Sequence, residues 1–447
     1  GQDRDDALAV LEQLGATPEE RRAKAITPIE KDFMDAIEIL YGEGTKYDRD
    51  LAYSEFMQGL TAKYPDHHEV AAFYAISLLG ASRNGRDPEL YDHSARIAQG
   101  IIKENPSHPG ALHYLIHSYD DPEHAHLANK AADSYSKVAP DATHALHMPS
   151  HIYVALGDWD KVVTSNIASW NASVRKSKER ENPDNPGSYH ALNWLQYGLL
   201  QRGETKRAAE LLENMIEFMN NNPNKNARSY LVAMKGGQLV ETNDWNGKFS
   251  KFSIKVDDLN IVTRTGYALT EGLIAYHQND IKSLARIIET ISEDRSKSEL
   301  LVGDKGFAMC SAGGYANKPP SLLDINMTRV MELELMALHA DLSGNPALAD
   351  EHFKKATDLD EQLSYSYGPP DIVKPIHEAY GEWLLKEGQL EAASNMFEKS
   401  LKRNPRRLLS YEGLRNAADQ LKNNKLLASV EDELQHSTKS IEWDEIL

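Results

Sequence analysis

The sequence predicts an all-α chain, a right-handed solenoid of about ten stacked helix pairs. Three observations lead there. Pro106 and Pro140, His113 and His147, and His117 and His151 each recur at an interval of 34 residues, the period of a tetratricopeptide (TPR) helix pair. Small residues stand where such pairs turn from their first helix to their second, at Gly157, Gly344 and Gly388. Apolar residues then follow at helical spacing: Ala349, Phe353 and Ala356 in one pair, Ala393 and Phe397 in another.

Taken in order, residues 1–33 read as a capping helix and linker, and residues 34–298 as an N-terminal array. Its first clear pair, residues 34–66, places Tyr53, Met57 and Leu60 on packing positions. The next is stretched by the turn-rich insert ASRNGRDPELYD. Residues 109–142 and 143–176 are in strict register, and the polar loop KERENPDNPGS follows. A pair turning at Gly203 comes after it, then two more divergent pairs with turns at Asn243 and Asn279. Residues 299–329 read as a Gly/Pro-rich loop without periodicity, centred on residues 303–320 and carrying Cys310, of the length that is often functional. A C-terminal array and cap fill residues 330–447.

Composition narrows the function. The chain has 447 residues, 41% hydrophobic and 26% charged, enough to bury a sizeable core. Its 49 basic and 68 acidic residues leave a formal charge of −19, which argues against a nucleic-acid partner and favours cationic ligands. No run of eighteen apolar residues exists to span a membrane. The single cysteine, Cys310, rules out an internal disulfide and any CxxC site. A chain that opens on Gly1 fits the expectation that a targeting segment or tag has been removed.

The chemistry concentrates in two His-x3-His pairs, His113/His117 and His147/His151. Residues four apart lie on one helix face, and equivalent helices of neighbouring pairs pack about 8–10 Å apart. Imidazoles from two such helices can therefore meet on one ion, with Zn–N distances of about 2 Å. Counted within their repeats, all four fall on the stripe that lines the concave groove. His144 and His190 fall there too, as weaker candidates, and Asp120 ends the first pair's stripe. His108, His124 and His126 are expected at turns or on the second helix, solvated or in supporting roles.

Imidazoles with at most one carboxylate, Asp120 or Asp121, suit Zn or Cu best, then Fe or Ni, and exclude an oxygen cage for Ca or Mg. Pro149 lies between His147 and His151. Either the helix starts near Met148, which would make His147 a capping residue, or it bends there. For acid–base work the candidates are Glu378, Glu382 and Asp120, with Glu334 and His377 as lesser ones. No HExxH is present, so a zincin-type mechanism lacks its base.

HYLIHSYDDPEHA followed by HALHMPSHIYVALGDW, and later YGPPDIVKPIHEAYGEWLLKEGQLEAA, resemble the recurrent blocks of a broad group of bacterial TPR-repeat proteins, many made with signal peptides. The likeness covers residues 27–419 and is most specific over residues 106–170. It implies an α-helical solenoid in a secreted or periplasmic setting and supplies no activity. The expected function is a TPR solenoid that binds a transition metal through its histidines and holds or processes a small molecule or peptide in the groove. Two alternatives stay open: a metal-free scaffold for a protein or peptide partner, and a metal-dependent hydrolase or oxidase.

Overall fold

The computed structural model describes residues 4–83, 85–179, 187–302 and 319–437. Among these residues the structure is all-α, a TPR-like succession of antiparallel helix pairs, with 22 α-helical segments and no strand. Each helix packs mainly on its chain neighbours, as a stacked-repeat architecture requires. The loop expected at residues 303–320, with Cys310, lies almost wholly outside the described residues. The next helix, Leu322–Leu342, already begins at Leu322, so the C-terminal array starts earlier than its apolar pattern suggested.

Two compact units divide the chain between Tyr119 and Asp120, inside the stretch that the repeat pattern reads as one array. In the first unit the expected cap and linker are helical. Pro18–Lys24 and Pro28–Leu40 each open on a capping box, Thr17 with Glu20 and Thr27 with Glu30. Ala36, Met57, Leu60, Val70, Tyr74 and Leu78 form a small core. The unit ends on the helix Pro109–Tyr119, which carries His113 and His117. His108 is buried just before it, against expectation, because its Nδ1 accepts the Ala111 N–H and so satisfies a donor at the start of the helix.

The second unit has one continuous apolar core from Val163 to Val430. Its turns fall at the expected residues: Gly157, Gly203, Gly344 and Gly388 have positive φ, and Asn243 and Asn279 adopt the same left-handed conformation. At Gly157 (φ 66°) there is a second constraint. A side chain there would come within 2.6 Å of Arg406 Cβ and 2.7 Å of the Pro405 carbonyl oxygen. Beside it the Trp159 indole N–H donates to the Arg406 carbonyl at 2.9 Å. Gly157→Ala is therefore expected to destabilise by more than about 1 kcal/mol. Its urea midpoint at constant slope measures this, and an unchanged midpoint would contradict the close packing.

Candidate metal centre

The helix that carries the second histidine pair bends without restarting. Met148, between Thr143–His147 and Pro149–Leu156, keeps helical angles (φ −51°, ψ −37°). Its N–H donates to the His144 carbonyl at 2.9 Å, and the Ser150 hydroxyl donates to the His147 carbonyl at 2.6 Å. His147 is thus not a cap. His147 and His151 are both 2% exposed, one turn apart, with ring centroids 5.2 Å from each other.

A third imidazole joins them from the helix Tyr189–Gln201, which opens with the Ser188 hydroxyl accepting the Ala191 N–H. His190 lies in its first turn, with its ring 4.5 Å from that of His147. His147, His151 and His190 each offer one ring nitrogen, and the three nitrogens lie within 4.8 Å of one another. Sequence spacing ranked His190 below the two pairs, because its repeat register was uncertain after the polar loop.

The other ring nitrogens are held by oxygen atoms. His147 Nδ1 is 2.7 Å from Asn166 Oδ1. The Asn166 amide donates to the Val162 carbonyl at 2.8 Å, which fixes Oδ1 as the acceptor and His147 Nδ1 as the proton-bearing nitrogen. His151 Nδ1 is 3.2 Å from Asp120 Oδ2, with both side chains buried. His190 Nδ1 is 3.1 Å from the Tyr230 hydroxyl. The tautomer of His147 therefore leaves a lone pair on Nε2, and the buried Nε2 atoms of His147 and His190 have no hydrogen-bond partner among the described residues. Asp120, expected as a ligand or acid–base group, is buried against His151.

The His147 and His190 imidazoles are held toward their neutral form. Burial, then His190 and His151, hold His147 well below the ordinary range. Burial brings His190 down to about 3, with His151 and His144 adding to the effect. Neutral imidazole is the form that ligates a metal. The Trp194 ring, one turn after His190, lies 4.7 Å from His147, 4.6 Å from His151 and 5.4 Å from His190.

The remaining candidates are placed as follows. His144 is half-buried at the start of the bent helix. His113 and His117 belong to the first unit, where their rings are 4.8 Å apart. Asp121 accepts the Glu123 and His124 backbone N–H groups and ties down a turn. The His124 ring is also held by Asp121, and the His126 side chain is exposed.

Glu378 is fully buried and committed to Arg407, Lys374 and Ser410, and Glu382 to Lys374. Burial alone would raise Glu378, but Arg407 and Lys374 hold it down at about 2. Glu334 is the opposite case. Burial pushes it well above the carboxylate range, and both its oxygens lack a hydrogen-bond partner among the described residues. His377 is buried, with Nε2 3.2 Å from Glu361.

No protein-family model matches the chain, and no curated protein sequence matches it. Solved structures similar to it include a human IFIT1 dimer with m7Gppp-AAAA, at 12% identity over 98% of this chain and 87% of that chain, TM-score 0.42. Another is the APC/C hetero-tetramer Cut9-Hcn1, at 10% identity over 93% and 67%, TM-score 0.37. A third is Naa15/Naa10 bound to HypK-THB, at 14% identity over 90% and 68%, TM-score 0.25. None of them bears on the chemistry of the histidines. Among the described residues no helix is long and apolar enough to cross a membrane.

Proposed function

We propose that the second unit binds one transition-metal ion, zinc or copper before iron or nickel, through His147, His151 and His190. The observation that carries this is the division of labour within each ring. One nitrogen of each ring is held by Asn166, Asp120 or Tyr230, and the three rings bring ring nitrogens within 4.8 Å of one another. Metal-ligating histidines are oriented in this way, because a partner on the far nitrogen fixes the tautomer and raises ligand basicity. Nitrogen ligands around a tetrahedral zinc lie about 3.3 Å apart, a distance that small ring rotations reach from the observed spacing. The thiol-free ligand set fits the secreted or periplasmic setting that the sequence resemblance implies.

The reading is of binding and not of catalysis. Of the expected acid–base groups, Glu378 and Glu382 are ion-paired with Arg407 and Lys374, and Asp120 is engaged by the His151 ring. The partner proposed is a small molecule or peptide. A narrow cleft lies beside His151, walled by Trp159, Tyr197, Tyr367 and Arg403.

Zinc titration of the chelator-stripped full chain tests the proposal. One equivalent should bind, and His147→Ala with His190→Ala should abolish uptake. Asp120→Asn should weaken affinity by about 10–100-fold. Stoichiometric, undiminished uptake by the double variant would sink the reading.

A further inference from the structure

The segment between the helices Pro346–Asp360 and Ile376–Lys386 contains no helix and includes Gly368-Pro369-Pro370 and Pro375. It is tied down at several points. The Tyr365 hydroxyl donates to Glu123 at 3.0 Å, the Ser366 hydroxyl to Asp371 at 2.9 Å, and Arg403 donates to the Leu363 carbonyl at 3.2 Å. Glu123 lies in the turn that follows Asp120, the residue buried against His151. The segment thus reaches the histidine centre from the Asp120 side.

It also reaches the centre from the Trp194 side. A Cβ on Gly368 would fall 2.1 Å from Trp194 Cζ2, 2.4 Å from Cη2 and 2.8 Å from Cε2, all closer than side chains ever approach. Only glycine allows the backbone to lie against the six-membered ring of the indole. Trp194 is 4% exposed, and its rings contact all three imidazoles. A displaced indole has the histidines in its way, because a closely packed interior transmits strain and does not absorb it.

We infer that Trp194 is the positioning residue that holds His147, His151 and His190 in register, and that Gly368 is the backbone contact that seats it. The inference rests on reading those histidines as a metal centre. It deepens that reading by naming a control over metal affinity, Gly368, that lies about 180–220 residues from the ligands in the chain and touches no metal itself.

Cobalt(II) binding to the full chain tests this, with affinity from chelator competition and coordination from the visible d–d spectrum. Gly368→Ala should weaken binding at least tenfold and alter the spectrum, while thermal unfolding stays cooperative. Trp194→Phe, whose shorter ring vacates the overlapped space, should restore affinity in the Gly368→Ala background. A merely structural role for Gly368 would not predict that rescue. An unchanged affinity and spectrum in Gly368→Ala, or equal loss in the single and double variants, overturns the inference.

The metal-free protein gives a separate reading. Imidazole nitrogen shifts by NMR should move at His147, His151 and His190 in Gly368→Ala and stay fixed at His113. If wild-type protein takes up no cobalt and these shifts move as stated, the metal reading fails and the positioning claim stands. If the shifts do not move, the positioning claim fails, whatever binds.

Discussion

Arg407→Ala is expected to destabilise the protein by about 3–5 kcal/mol. Arg407 is fully buried. Its guanidinium donates to both oxygens of Glu378, at 2.7 and 2.9 Å, to Glu241 at 2.5 Å, and to the Tyr197 hydroxyl at 3.1 Å. Removing it leaves two carboxylates in the interior, of which Glu378 keeps a cation, Lys374. Burial, and then Glu378, already push Glu241 up against the pull of Arg407, so its loss drives proton uptake. Arg407→Lys should cost less, since it keeps the charge and loses only the two-pronged geometry. Urea unfolding of the two variants measures the difference, and near-wild-type stability of Arg407→Ala would show that this network does not hold the unit together.

Acidification of the metal-free protein is the second large effect. His190 has its folded pKa depressed to about 3, and that of His147 is lower than normal, while in the unfolded chain each titrates near 6.5. Between those values the unfolded chain binds protons that the folded chain does not. Stability therefore rises with pH across the window and falls as pH drops below about 6.5. At about 1.4 kcal/mol per unit for each group, the loss reaches up to about 4 kcal/mol by pH 5. Urea midpoints at pH 7.5, 6 and 5 should show it, and His147→Gln with His190→Gln should flatten the slope. A flat profile in the wild-type protein would mean that these rings are not enclosed as neutral imidazoles.

Much of the fold was legible because repeats state their rules locally. The turns at Gly157, Gly203, Gly344 and Gly388 were readable from one residue each, since a left-handed turn between helices favours glycine. Ala349, Phe353, Ala393 and Phe397, placed by helical spacing, are all fully buried. The division at Tyr119 was not legible, because consecutive repeats in register give no sign of where one compact unit ends.

The centre was half legible. The His-x3-His spacing pointed to His147 and His151, and the break threatened by Pro149 resolved into a bend, with Met148 keeping helical angles and its N–H still reaching the His144 carbonyl. His190 needed the register of a repeat that follows an irregular loop. Its signal was the stripe His190, Trp194, Tyr197 on one helix face. Glu378 was misjudged because its partner, Arg407, comes 29 residues later in a different helix pair, and Gly368 could not be linked to Trp194 by any local rule.

An anomalous difference map at the zinc edge, from crystals of the zinc-loaded protein, tests the central claim most directly. The expected result is one peak about 2.0–2.1 Å from a ring nitrogen of each of His147, His151 and His190, with Asn166, Asp120 and Tyr230 still on the opposite nitrogens. A peak bound elsewhere, or none with the three rings still enclosed around the same space, would contradict it.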